Sequence, residues 1–277
     1  MKDKIMIILK GFVFGIANII PGVSGGTIAL TMGIYEDLIS SISNILKNFK
    51  KSMSLLIPFG IGALLSIVLL SKIINFTLTK YPAPTILFFI GLILGGIPLL
   101  TKNIKGKKVK PRYILLFLIT FSFILLLTYL GGAGHSVKLT SSLGSYILLF
   151  IVGMVAAATM VIPGISGSFV MMLLGYYQPI INTIDELTSM KNVMSNILIL
   201  IPLGLGIIVG IIGISKLIEF LFKKYKIETY YAILGFILAS IITLFISITF
   251  PHSIIQILIG IILLIIGTFC GYKLGDS

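Results

Sequence analysis

Tryptophan is absent from this chain, cysteine occurs once, and only 10% of the 277 residues are charged. The lone cysteine, Cys270, excludes a disulfide framework and any metal site built from paired cysteines. Arginine is as scarce, with Arg112 the only one, and it lies in a loop. No buried arginine is therefore available to grip a phosphoryl group during its transfer. His135 and His252 are isolated in short loops and make no metal site with anything near them. Sustained alternation of apolar and polar residues is missing, which excludes a transmembrane β-barrel. The scarcity of charge also excludes a large soluble globule, since that would need a polar exterior.

What is present in abundance is apolar sequence: 57% of residues are hydrophobic, and the mean hydropathy is +1.17. Ten apolar segments follow one another, at about 4–20, 22–40, 54–74, 83–101, 113–131, 144–162, 164–180, 194–215, 229–249 and 253–272. This pattern predicts an all-α polytopic membrane protein. The net charge of +13 does not point to nucleic acid, because the basic residues sit in short loops between apolar runs. Lys2 and Lys4 followed by an apolar stretch resemble a signal peptide. No small-residue cleavage site closes that stretch, so it is expected to be part of the mature structure.

The chain repeats itself. Pro21-Gly22-Val23-Ser24-Gly25-Gly26-Thr27 returns as Pro163-Gly164-Ile165-Ser166-Gly167-Ser168, each within a long apolar run. With an offset of 142, Gly33 and Tyr35 also fall on Gly175 and Tyr177. With an offset of 144, Pro58 meets Pro202, Ser71-Lys72 meets Ser215-Lys216, Lys80-Tyr81 meets Lys224-Tyr225 and Gly91 meets Gly235. The order and the polar matches imply an internal duplication, residues 1–131 and 132–277, within one integral membrane domain.

Loop charge sets the orientation. Lys102, Lys105, Lys107, Lys108, Lys110 and Arg112 crowd one loop, which the positive-inside rule places in the cytoplasm. Lys47, Lys50, Lys51, Lys223, Lys224 and Lys226 then also fall inside, with both termini. The agreement holds if the Pro-Gly hairpins, 4–40 and 144–180, each contribute an even number of crossings. Short arms and polar tips favour re-entrant hairpins. Each half then has one hairpin plus three spans, which makes the repeats inverted and lets the tips meet near the midplane.

Proline followed by glycine breaks a helix, and in lipid such a break is tolerated only where protein or a polar cavity satisfies the freed groups. After each break a helix restarts, with Ser24 or Ser166 placed as N-cap. A helix start presents amides and partial positive charge, which favours an anion, a phosphate above all. The expected binding set is Pro21, Gly22, Ser24, Gly25, Gly26, Thr27, Pro163, Gly164, Ser166, Gly167 and Ser168. Lys10 is a candidate counter-charge or a snorkelling residue. Asn18 either bonds the broken backbone or binds ligand. Glu36 and Asp37 either carry protons or face water. Lys72, Lys216 and Glu219 read as interfacial residues, with Glu219 pairing with a lysine.

These residues resemble a known family. Lys10-Gly11, Gly15-Ile16-Ala17-Asn18, Pro21 to Thr27 and Gly33-Ile34-Tyr35-Glu36, with Pro163 to Ser168 and Leu174-Gly175-Tyr176-Tyr177, are similar to the bacterial DUF368 membrane proteins. The resemblance implies a translocase of undecaprenyl phosphate (the PopT type) in the bacterial cell membrane, returning the lipid carrier of cell-wall synthesis. It implies no catalytic residue, no metal and no cofactor, with proton or sodium coupling open. The alternatives are a secondary transporter of a small anion or organic acid and a phosphatase of polyprenyl pyrophosphate. Phosphatases of that kind carry arginine after a Pro-Gly-x-Ser motif, where this chain has Gly25 and Ser168 nearby.

Overall fold

The computed structural model describes residues 2–19, 23–130, 137–140, 142–248 and 253–276. Pro21, Gly22, His135 and His252 lie outside the described residues. The described part is helical: α1 (Lys2–Ile19), α2 (Gly25–Thr31), α3 (Tyr35–Ser43), α4 (Phe49–Lys80), α5 (Pro82–Lys102), α6 (Pro111–Leu130), α7 (Leu143–Val161), α8 (Gly167–Leu173), α9 (Tyr177–Thr188), α10 (Val193–Lys224), α11 (Lys226–Ile246) and α12 (Ile254–Asp276). Among the described residues seven helices, α4 to α7 and α10 to α12, are long and apolar enough to cross a membrane.

The segments 22–40 and 164–180, read above as single arms, are each two helices. Both short helices, α2 and α8, stop at a glycine with positive φ, Gly33 at 68° and Gly175 at 76°. In each case the residue after the glycine bonds back five residues, Ile34 to Ala29 and Tyr176 to Met171, while the glycine itself bonds Leu30 or Met172. This is the Schellman termination, which requires a left-handed residue and so selects glycine. α4 and α10 run longer than their apolar cores, 32 residues each. At 1.5 Å per residue they are about 48 Å long, against about 30 Å of hydrocarbon.

Packing is by close backbone approach at small residues, as expected where lipid removes the hydrophobic drive between helices. α1 lies on α4 and α7 on α10. A Cβ on Gly11 would overlap the Phe59 carbonyl, and one on Gly153 would overlap that of Leu203. Gly62 meets the Ile8 carbonyl as Gly206 meets that of Phe150. Offsets of 142 and 144 connect each of these pairs of contacts. The remaining long helices pair across the sequence: α5 packs on α12, and α11 on α6. Gly91 and Gly95 touch the carbonyls of Leu264 and Thr268, while Gly267 and Gly271 touch those of Phe88 and Leu92. Where α6 meets α11, Arg112 pairs with Glu228 at 2.6 Å, and Tyr113 stacks on Tyr231 with ring centres 5.4 Å apart.

Gly62→Val should lower stability by about 1–3 kcal/mol through overpacking, because its branched side chain would be driven into the α1 backbone. Thermal unfolding in detergent measures this. Gly60→Ala on the same helix is the control, since nothing lies within 4 Å of an added Cβ there. Equal midpoints for the two variants would refute the close-approach account.

Candidate functional site

Ser24, Thr27 and Tyr35 meet the chain at 161–164, and the way they meet follows from unsatisfied backbone. α7 stops at Pro163, which cannot continue the ladder, so its last carbonyls lack helical partners. Hydroxyls from the first half supply them. Tyr35 donates to the Val161 carbonyl at 3.0 Å, and Ser24 donates to the Ile162 carbonyl at 3.4 Å. The Gly164 N–H donates to Thr27 Oγ1 at 2.6 Å. Gly26 lies against the same turn, with no room for a Cβ beside the Val161 carbonyl. Gly164 itself has φ of 87° and backs onto the Phe236 backbone of α11, so two constraints require glycine.

The two tips differ in what their hydroxyls do. Ser24 is an N-cap in full: its hydroxyl accepts from the Thr27 N–H at 3.4 Å. Ser24 and Thr27 are buried and bonded, and every residue of α2 is buried. Ser166 holds the same backbone position before α8, yet its side chain makes no capping bond. It pairs instead with Ser168, Oγ to Oγ at 2.8 Å, and both are partly exposed.

Ser166 borders a cleft between α6, α11 and the second tip, lined by Ile124, Leu127, Thr128, Gly164, Ile165, Ser166, Ser240 and Thr243. Thr128 and Thr243 face each other at 3.1 Å across α6 and α11. No lining residue carries charge. Each hydroxyl keeps acceptor capacity, and each can redirect its proton. Sequence reasoning missed Thr128, Ser240 and Thr243. The available signal was hydroxyls on otherwise apolar spans.

The remaining candidates lie elsewhere. Lys10 is buried at the far end of α2 from Ser24, where its Nζ donates to the Met32 carbonyl at 2.8 Å. There it answers the partial negative charge of a helix C-terminus, about 10 Å from the tip along α2. Asn18 donates to the Phe14 carbonyl of its own helix at 2.8 Å and adjoins Gly25. Gly167 is buried against Met160 and Ala156, and Pro163 is fully buried. Glu36 and Asp37 line a second pocket with Leu30, Gly33, Tyr35, Leu99, Leu100, Asn103 and Tyr230. Glu36 accepts from the Tyr230 hydroxyl and has Lys226 Nζ at 3.9 Å. Structure therefore separates a neutral, largely apolar cleft that carries four hydroxyl side chains at the second Pro-Gly break from a charged pocket at the opposite end of α2.

A family model described as undecaprenyl phosphate translocase-like matches residues 14–252. The chain is 36% identical over 275 residues to a polyprenyl-phosphate transporter of Staphylococcus aureus, covering 97% of this chain and 95% of that protein. It is 32% identical over 253 residues to a polyprenyl-phosphate transporter of Vibrio cholerae, covering 84% of this chain and 75% of that one. No solved structure matches it.

Proposed function

This chain belongs to the undecaprenyl phosphate translocase-like family, and we infer from it that the chain moves a polyprenyl phosphate, undecaprenyl phosphate foremost, across the bacterial cell membrane. The observation that carries the site assignment is the cleft where Ser166, Thr128, Ser240 and Thr243 converge on a broken helix. A polyprenyl tail is at home in lipid, and only its phosphate head needs a polar path. Hydroxyls and the first-turn amides of α8 give that head donors without a fixed counter-charge. Binding is then strong enough to admit the head and weak enough to release it, the balance that conduction needs. Ser166, Ser168 and Gly167 hold the phosphate in this reading. Ser24, Gly25, Gly26, Thr27 and Pro163 shape the tip behind it.

The hairpins are re-entrant and the halves inverted in this reading. Support comes from the seven-residue α2 and α8, each about 10 Å long and far short of a span. The loop Lys102–Arg112 faces the cytoplasm together with both termini. The head enters from the outer side and leaves inward, which returns the carrier to the face where cell-wall precursors are made. Glu36 and Asp37, in the pocket on the cytoplasmic side, are the proton carriers.

Purified protein in liposomes with fluorescently labelled polyprenyl phosphate tests this. Expected is protein-dependent movement of the label between leaflets, accelerated by a pH gradient. Glu36→Gln with Asp37→Asn should abolish the acceleration and keep the basal movement. Uptake of soluble phosphate without lipid movement would instead indicate a small-anion transporter. Phosphate release from polyprenyl pyrophosphate would indicate an enzyme. A sodium gradient that accelerates movement where a pH gradient does not would remove the proton assignment alone.

A further inference from the structure

The two halves have matching parts and unlike surroundings. α2 is buried throughout, whereas Met172 and Leu174 are 42% and 44% exposed at the C-terminal end of α8. α3 packs on α10, the long helix of the other half, but α9 makes no comparable packing on α4. Tyr35 is 3% exposed and bonds across to Val161, while Tyr177 at the matching position is partly exposed. A molecule at rest in one symmetric arrangement would treat the two copies alike.

At the crossing between α3 and α10, where the Tyr35 and Phe222 rings meet with centres 6.1 Å apart, one carboxylate gathers the polar contacts. Glu219 Oε1 accepts from Asn44 Nδ2 at 2.9 Å, from Ser40 Oγ at 3.4 Å and from Lys223 Nζ at 2.8 Å. By the repeat offsets, Asn44 corresponds to Glu186 and Glu219 to Asn75. The amide and the carboxylate have changed sides, so the second pair can make the same bond with donor and acceptor exchanged. In this structure Glu186 stays within its own half, accepting from Asn196 at 3.2 Å and Asn192 at 3.4 Å.

We propose that Glu219 with Asn44 and Ser40 is a latch that closes the transport path on the side of the Lys102–Arg112 loop, and that the opposite state closes the other side by bringing Glu186 onto Asn75. The structure is then the state open at Ser166. Moving between the states exchanges the environments of the two hairpins: α8 becomes buried like α2, and α9 packs on α4. Ser40, Asn44 and Glu219 are positioning residues, since they touch the helices that move and not the head group. The inference rests on the transport reading above.

Paired cysteines test it in a Cys270→Ser background, which removes the native thiol. Asn44→Cys with Glu219→Cys should cross-link readily, with lipid movement falling at least tenfold on oxidation and recovering on reduction. Asn75→Cys with Glu186→Cys should cross-link slowly at rest and several-fold faster with undecaprenyl phosphate present. Glu219→Ala should slow labelling of Ser166→Cys several-fold, and Glu219→Gln, which keeps an acceptor for Asn44, should restore most of the rate. The latch is refuted if the oxidised first pair transports normally. It is also refuted if the second pair never links in protein that is moving lipid. Native protein that moves no polyprenyl phosphate would overturn the transport reading, and the latch with it.

Discussion

Replacing Ser166 and Ser168 together by alanine should reduce polyprenyl phosphate movement by about ten- to a hundredfold while leaving the protein folded. A hydrogen bond to a charged group contributes about 1.5–3 kcal/mol, and 1.4 kcal/mol is a factor of ten. Losing one such bond to the head group already gives the lower figure. Stability should change little, because the pair bond each other and both remain partly exposed. Leaflet-exchange rates, normalised to folded protein by size-exclusion peak, are the measurement. Ser24→Ala offers the contrast: its hydroxyl is enclosed between Thr27 and Ile162, so its loss should appear first in thermal stability. A double alanine variant at full speed would remove the second tip from the path of the phosphate.

The meeting of the two Pro-Gly motifs was legible because proline and glycine act locally. Each removes or loosens backbone bonding wherever it occurs, and two such breaks in an apolar chain need partners. The partners chosen were less legible. Ser24 and Thr27 belong to the phosphate-like motif Pro-Gly-x-Ser-Gly-Gly-Thr, yet their hydroxyls satisfy the second tip's backbone. A motif reports that a hydroxyl is needed, not which group it serves. Gly33 and Gly175 marked the repeat, while their role as helix terminators was hidden by the apolar residues on both sides. Thr128 and Thr243 escaped notice because a threonine can bond its own helix, as Thr128 does to Ile124 at 2.9 Å, and so raises no alarm in a span. The pairing of α5 with α12 and of α11 with α6 lies beyond local pattern, because apolar helices of similar length compete for the same partners and backbone fit decides. The unlike burial of α2 and α8 is a tertiary outcome, which matching motifs in the sequence do not express.

Thr27→Val should separate a structural bond from a conformational one. Valine keeps the shape and removes the acceptor, which leaves the buried Gly164 N–H without its 2.6 Å partner. The cost of such an orphan is about 1–3 kcal/mol. How it is felt depends on whether the bond survives in the other state. At the positions that correspond to Thr27 and Gly164 the chain has Phe169 and Gly22, and phenylalanine has no acceptor to offer. The repeat-related pair can therefore make no such bond, and in the two-state reading proposed above Thr27 stabilises the arrangement seen here. A loss of about 1–3 kcal/mol on one side of a two-state equilibrium shifts it about 5- to 150-fold. Thr27→Val should accordingly slow cross-linking between Asn44→Cys and Glu219→Cys and speed it between Asn75→Cys and Glu186→Cys. The thermal midpoint should move less than a buried orphan would suggest, because the protein escapes into the state that never had the bond. A large fall in midpoint with both cross-linking rates unchanged would make Thr27 an ordinary strut and leave the balance between states to the latch alone.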